Sequence, residues 1–214
     1  MKSKEIIVLD SGIANLGSVF NALQWLEIPV RISRSEKEVM EAPGLIFPGV
    51  GSFGHAAAEL KQKGMDIAVK RFADSNKPFL GICLGMQLLF QYSEEGGESD
   101  YPEGLSLVPG RVMCFSTGLP VPHVGWNTVH PLQGHPLFAK ILSASFFYFT
   151  HSFYVVPAKK ENILATTEYG DTFTSAVVSG NLMGVQFHPE KSGPSGLQLL
   201  RNFAEIVYGS SQVE

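Results

Sequence analysis

The sequence predicts an α/β protein: a doubly wound, mostly parallel sheet with flanking helices, plus a smaller antiparallel, strand-rich portion in the second half. Three observations carry this. Short β-branched runs alternate with helical stripes from Ile6 to Tyr92. Each run is apolar at consecutive positions, as in strands buried on both faces. After Ser93 the helical stripes give way to closely spaced strand-like runs. Parallel neighbours need crossovers, usually helical, so the alternation decides the sheet type.

The first strand is Ile6-Ile7-Val8-Leu9, ending at Asp10 and Gly12. Leu16, Val19, Phe20, Leu23 and Leu26 recur at three- and four-residue spacing, one apolar stripe on a helix that Pro29 stops. Val30 to Ile32 is a second strand. Ser35 and Glu38 have capping-box spacing for a short helix, and Leu45-Ile46-Phe47 forms a third strand ending at Pro48. A helix over 56–71 is interrupted near Gly64. Pro78 to Ile82 is a fourth strand, and Leu84 to Tyr92 a fourth helix. An acidic loop, Glu94 to Pro102, then leads to strand-like runs at Arg111 to Phe115, Phe146 to Phe149, Ile163 to Thr167, Thr172 to Val178 and Leu182 to Phe187. Leu197, Leu200, Phe203 and Ile206 place an apolar face on a closing helix.

At 214 residues, against a prior of about 150 per domain, the chain reads as a single domain, 1–214. Hydrophobic residues make up 44% and charged residues 17%, which supports a packed core and excludes intrinsic disorder. The net charge is -4 and no Lys/Arg cluster is present, so nucleic acid is not an expected partner. The longest apolar stretches are strand-sized, far below the roughly 20 residues of a membrane helix. Met1 to Glu5 passes directly into a strand without a signal core, so a cytoplasmic location is expected. Cys83 and Cys114 have no Cys-x-x-Cys spacing, which speaks against zinc or a disulfide framework. Neither metal nor cofactor is expected.

The strongest chemical signal is Gly81-Ile82-Cys83-Leu84-Gly85, small residues two places either side of a nucleophile at a strand-to-helix junction. That is the spacing of a nucleophile elbow with cysteine in place of serine. The glycines permit the tight turn, and the helix beginning at Leu84 aims its positive end at the sulfur. A thiol nucleophile needs a base, and the base an orienting group. His188-Pro189-Glu190 supplies both at the end of the last strand, where extended backbone would send the two side chains to one side. Pro48-Gly49-Val50-Gly51-Ser52-Phe53-Gly54 offers backbone N–H donors for an oxyanion at Val50 and Gly51, with Leu84 as the second source. The same loop matches Gly-x-Gly-x-x-Gly, but it follows the third strand and lacks the acidic residue a dinucleotide site needs. His151, in Tyr148-Phe149-Thr150-His151-Ser152, competes with His188 as base. Cys114 reads as inert core, and His130 and His135, beside Pro131 and Pro136, as loop residues unsuited to a metal.

Gly81 to Gln87 together with His188-Pro189-Glu190 resembles the class I, triad glutamine amidotransferases, a flavodoxin-like family, over essentially the whole chain. Finer features are similar to the glutaminase subunits of imidazole glycerol phosphate synthases: Asp10 to Ser18 with Asn15-Leu16, Pro48 to Gly54, Gly125-Trp126-Asn127, Tyr148 to Ser152 and Lys191-Ser192. Ser11, Gly17 and Val124 depart from that pattern. The resemblance implies that Cys83 attacks the carboxamide of L-glutamine, forming a thioester and releasing ammonia, while His188 shuttles protons and Glu190 orients it. It further implies that Gly51, Gln87 and the backbone of Thr150, His151 and Ser152 hold glutamine. The implied partner is a (β/α)8-barrel cyclase, joined as a heterodimer through Asn15, Trp126, Tyr148 and Lys191. That cyclase makes imidazole glycerol phosphate and aminoimidazole carboxamide ribotide in histidine biosynthesis. A paralogue delivering ammonia to another synthase, for example in nucleotide-sugar amidation, would carry the same triad; a non-catalytic module would not need it. A further expectation is that the Gly49-Val50-Gly51 peptide is aimed at the oxyanion only when the partner and its ligand bind.

Overall fold

A computed structural model describes residues 5–12, 14–97, 101–116, 118–132 and 134–209. Residues 1–4, on which the expectation about a leader rests, and part of the acidic 94–102 loop lie outside the described residues. The elements run β1 Ile6–Leu9, α1 Leu16–Trp25, β2 Val30–Ser33, α2 Glu36–Glu41, β3 Leu45–Gly49, α3 Phe53–Gln62, α4 Met65–Asp74, β4 Phe79–Cys83 and α5 Leu84–Gln87. They continue with β5 Tyr92–Ser93, β6 Gly110–Cys114, β7 His123–Pro131, β8 Ser145–His151, β9 Phe153–Pro157, β10 Ile163–Tyr169, β11 Asp171–Ser179, β12 Leu182–Val185 and α6 Gly193–Tyr208.

The sheet order is β2-β1-β3-β4-β12-β11-β10-β7-β8, parallel from β2 through β12 and antiparallel beyond. Because strand side chains alternate faces, β1 splits between two cores. Ile7 and Leu9 join Val39, Phe53, Leu60 and Phe72 from α2, α3 and α4. Ile6 and Val8 join Val19 and Leu23 of α1 and Leu199, Leu200 and Phe203 of α6. Helices therefore cover both faces, as a doubly wound sheet requires.

Several boundaries differ from the sequence expectation for identifiable reasons. Helix α1 stops before Pro29 is reached, because Glu27 takes φ 58° and a Schellman motif closes the end through Ile28 N–H to Leu23 O and Glu27 N–H to Gln24 O. Ser35 caps α2 by accepting from Glu38 N–H, but the reciprocal half of the box is missing, since the Glu38 carboxylate accepts from the Ser33 hydroxyl at 2.5 Å. Gly64, at φ +67°, divides α3 from α4. The expected helix from Leu84 to Tyr92 is only one turn, Leu84–Gln87. The carbonyls of Leu88, Leu89 and Phe90, which would continue it, accept instead from Leu105, Leu107 and Ser106. Strands β5, β7 and β9 were not expected. His130 lies on β7 rather than in a loop, and Cys114 is exposed rather than core.

Candidate active site

Parallel strands β3, β4 and β12 end on the same edge of the sheet, and the register pairs Gly49 with Cys83 and Val185 with Ile82. This brings the glycine loop, the cysteine and the segment after β12 to one place, where open α/β sheets gather their ligands. Cys83 sits at φ 54°, ψ −113°, a conformation costing a side-chain-bearing residue about 1–3 kcal/mol. It persists because the turn is wedged. A Cβ on Gly85 would lie 1.8 Å from Phe47 O, and one on Gly81 2.9 Å from the Met86 backbone. Only glycine lets α5 lie so close against β3 and β4.

His188 and Glu190 approach from the other end of the chain. His188 N–H bonds Tyr148 O at 2.9 Å, and Ser192 ties the segment to β8 by donating to His188 O at 2.6 Å and accepting from Tyr148 N–H at 3.0 Å. Pro189–Lys191 forms a 3-10 turn. The turn, not an extended strand, brings the carboxylate to the ring: His188 Nδ1 meets Glu190 Oε1 at 2.8 Å, with both side chains buried. Nδ1 then carries the proton toward Glu190 and Nε2 is left for the thiol. Nε2 is buried without a conventional hydrogen bond. Burial alone would weaken the ring's hold on a proton, but the adjacent Cys83 sulfur and Glu190 carboxylate outweigh it and push the His188 pKa up to about 10.

A cavity of about 310 Å³ opens beside the sulfur, lined by Val50, Gly51, Cys83, Leu84, Gln87 and Glu95 and, opposite them, by Pro122, the Thr150–Phe153 backbone and His188. Gly51, at φ +98°, has open space where a Cβ would be, whereas a Cβ on Gly49 would meet Gly85 N at 2.9 Å. Gly49 is thus packed against α5, whereas Gly51 is not. Gln87 spends both amide hydrogens, one on Phe153 O at 2.9 Å and one on Gln186 Oε1 at 3.0 Å, so only its oxygen remains for a ligand.

His151 lines the same cavity but has no capacity to serve as base. Its Nδ1–H donates to Phe153 O at 2.8 Å, which makes Nε2 an acceptor for His123 Nδ1–H at 3.2 Å. His123 Nε2 in turn accepts from Asn127 Nδ2 at 3.3 Å. Burial among Phe115, Phe149 and Phe173 pushes His151 down to about 3 and His123 down to about 4, so both stay neutral.

Three participants are not visible in the sequence pattern. Glu95 belongs to the acidic loop after Ser93, yet it reaches the cavity, and its carboxylate accepts from Phe53 N–H at the start of α3. That carboxylate occupies the helix end where a dinucleotide phosphate would bind, so the Gly-x-Gly-x-x-Gly lookalike is closed to that use. Gln186 is fully buried beside Cys83, and its signal is a lone polar residue in the apolar run Leu182 to Phe187. His123 gives no local signal.

Of the expected partner residues, three are exposed and Tyr148 is half-buried. Trp126 is 55% exposed and packs edge-to-face on Tyr148 with ring centroids 6.1 Å apart, and Asn15 and Lys191 are exposed. Val50, Val121 and Val124 are also exposed. Among the described residues no group of three or more His, Cys, Asp or Glu could hold a metal, and no helix is long and apolar enough to cross a membrane.

A doubly wound sheet that presents a strained cysteine to a carboxylate-backed imidazole defines a thiol-dependent acyl-transfer protein of the triad type. Residues 7–207 match the family described as Glutamine amidotransferase class-I, and the chain belongs to that family. Among its relatives is the imidazole glycerol phosphate synthase subunit HisH of Moorella thermoacetica, 48% identical over 204 residues, covering 95% of this chain and 96% of that one. The HisH subunit of Methanosarcina mazei is 48% identical over 206 residues, covering 95% and 99%. The fold is shared with a glutamine amidotransferase crystal structure at TM-score 0.72 and 20% identity, covering 94% of this chain and 98% of that one. It is also shared with a glutamine amidotransferase from Thermotoga maritima at TM-score 0.68 and 15% identity, covering 96% and 99%.

Proposed function

We propose that this chain, acting as one domain over residues 1–214, is the glutaminase subunit of a cytoplasmic imidazole glycerol phosphate synthase. In this reading it hydrolyses L-glutamine and passes ammonia to a cyclase subunit with a (β/α)8 barrel, the two forming a heterodimer that serves histidine biosynthesis. The observation that carries the proposal is the polarised pair: a buried imidazole with Glu190 on one nitrogen and the Cys83 sulfur facing the other.

The chemistry follows from those positions. The Cys83 thiolate adds to the carboxamide carbon of glutamine, and the carbonyl oxygen becomes an oxyanion facing N–H groups of Val50 or Gly51 and Leu84. His188 gives its proton to the departing nitrogen, the C–N bond breaks, ammonia leaves, and a glutamyl thioester remains. His188, now neutral, takes a proton from water as the water oxygen attacks the thioester; collapse expels the Cys83 thiolate and releases glutamate. Glu190 keeps the imidazolium oriented throughout. At the other end of the cavity, Glu95 is the anionic group that suits the substrate ammonium, and Gln87 Oε1 with the backbone of Thr150, His151 and Ser152 fixes the chain.

Ammonia released into water would be protonated and lost as a nucleophile, so a docked acceptor is chemically required. Exposed Val50 at the cavity and the exposed Val121, Val124 and Trp126 support docking of a partner, for which Asn15, Tyr148 and Lys191 are the further expected contacts. The open space around Gly51 leaves room for the Val50–Gly51 peptide to turn on docking.

The test mixes the chain with the cyclase barrel, glutamine and the ribotide substrate, following glutamate and cyclase product, with Cys83→Ala as control. Stoichiometric glutamate and imidazole glycerol phosphate are expected, and none of either from Cys83→Ala. Glutamate without cyclase product would transfer the chain to another synthase.

A further inference from the structure

We infer that Gln186 is a catalytic residue of this site, a fixed N–H donor that holds and stabilises the Cys83 thiolate; the inference deepens the glutaminase reading and rests on it. Gln186 is fully buried on the residue following β12, two positions before His188, and its Nε2 lies 3.6 Å from Cys83 Sγ.

The orientation of its amide is determined by its neighbours. Phe153 O is a carbonyl and can only accept, so the end of the Gln87 amide that meets it at 2.9 Å is the NH₂. The second hydrogen of that NH₂ points to the Gln186 amide at 3.0 Å, so the Gln186 atom there is its oxygen. The NH₂ of Gln186 is therefore the end that faces the sulfur. His151 reinforces the arrangement by donating a second hydrogen bond to Phe153 O at 2.8 Å. A flipped Gln186 would set oxygen against sulfur and hydrogen against hydrogen in a buried site, which is unfavourable at both ends.

A donor so placed favours the anion over the thiol, because a hydrogen bond to a charged acceptor is the stronger one. It also supplies what the one-turn helix α5 does not. A long helix would stabilise the sulfur by its dipole, but α5 is a single turn of four residues. Other titratable groups facing the sulfur are His188, with Glu190 behind it, and across the cavity His151 and Glu95.

The test reads the thiolate directly. In a Cys114→Ser background, which removes the other, exposed thiol, the pH dependence of Cys83 alkylation by iodoacetamide is measured for the parent, Gln186→Met and Gln186→Leu. Both variants remove the amide donor at similar volume, and Gln186→Leu serves if the methionine variant does not fold. The alkylation midpoint is expected to rise by about one pH unit or more in the folded variants. With the partner present, kcat for glutamine is expected to fall at least about tenfold while KM stays within about threefold. An unchanged midpoint in either folded variant overturns the assignment. Alkylation needs no glutamine, so that failure is distinct from failure of the glutaminase reading, which would show as a parent protein with a reactive Cys83 that forms no glutamate with the cyclase.

Discussion

Replacing Gly85 by alanine adds one methyl group, and the structure says where it goes. The new Cβ would lie 1.8 Å from Phe47 O and 2.8 Å from Phe47 C, both backbone atoms in the middle of the sheet. Neither can rotate away. Strand β3 and helix α5 must part by about 1.2 Å merely to bring that contact to 3.0 Å, the shortest that real Cβ atoms tolerate. Overpacking of this kind costs about 1–3 kcal/mol, or a fall in Tm of roughly 2–12 °C for a chain of this size. The same movement shifts Leu84 N–H and Cys83 against the Val50–Gly51 peptide, and an error of about 1 Å in a reacting geometry costs on the order of 100-fold in rate. Gly17→Ala is the matched control. Its Cβ would meet nothing nearer than the Asn15 side chain at 4.0 Å, on an exposed face of α1, so helix propensity alone predicts a gain of about 0.5–1 kcal/mol. Thermal unfolding and glutamate release with the cyclase, measured on both variants, should move stability in opposite directions. A Gly85→Ala protein with Tm within about 1 °C of the parent and turnover within about twofold would refute the wedge as the source of the elbow's strain.

Three other outcomes follow. Glu190→Gln leaves a buried amide where a carboxylate faced His188 Nδ1 and is expected to lower kcat by about 10²–10⁴ with the fold intact, read by glutamate formation and circular dichroism; activity within threefold of the parent would free Glu190 from the mechanism. His151 and His123 are held neutral to about 3 and about 4, whereas in the unfolded chain they protonate near 6.5. The unfolded state therefore binds more protons below that value, so the contribution of these two rings to stability is full above about pH 6.5 and is lost as pH drops, His151 alone giving a slope of about 1.4 kcal/mol per pH unit. Urea unfolding between pH 4 and 7 should show that slope flattened in His151→Gln. Trp126→Ala, at a 55% exposed site, should weaken cyclase binding at least tenfold while Tm moves by no more than about 2 °C, measured by titration calorimetry and melting; unchanged affinity would remove Trp126 from the docking face.

The chemistry of this protein was readable where it depends on local pattern. Consecutive apolar runs foretold the buried parallel strands because burial on both faces leaves no room for polar side chains, as Ile6 to Leu9 show. Gly81, Cys83 and Gly85 announced the turn because a sharp strand-to-helix junction tolerates only small neighbours, and His188-Pro189-Glu190 announced the imidazole–carboxylate contact within three residues. What depends on contacts between distant segments was invisible. The carbonyls of Leu88 to Phe90 were committed to residues 105–107 and cut the helix to one turn. Strand β7 was missed because His123, Gly125, Asn127 and His130 carry no strand-like apolarity, and their pairing with β8 and β10 supplies the stability that propensity does not. Glu95, Gln186 and the neutral His123–His151 pair became parts of the site only when strands far apart in the chain came together. A side chain's type and spacing travel with the sequence, but the direction of a hydrogen bond and the proton affinity of a ring are properties of the surroundings that folding assembles.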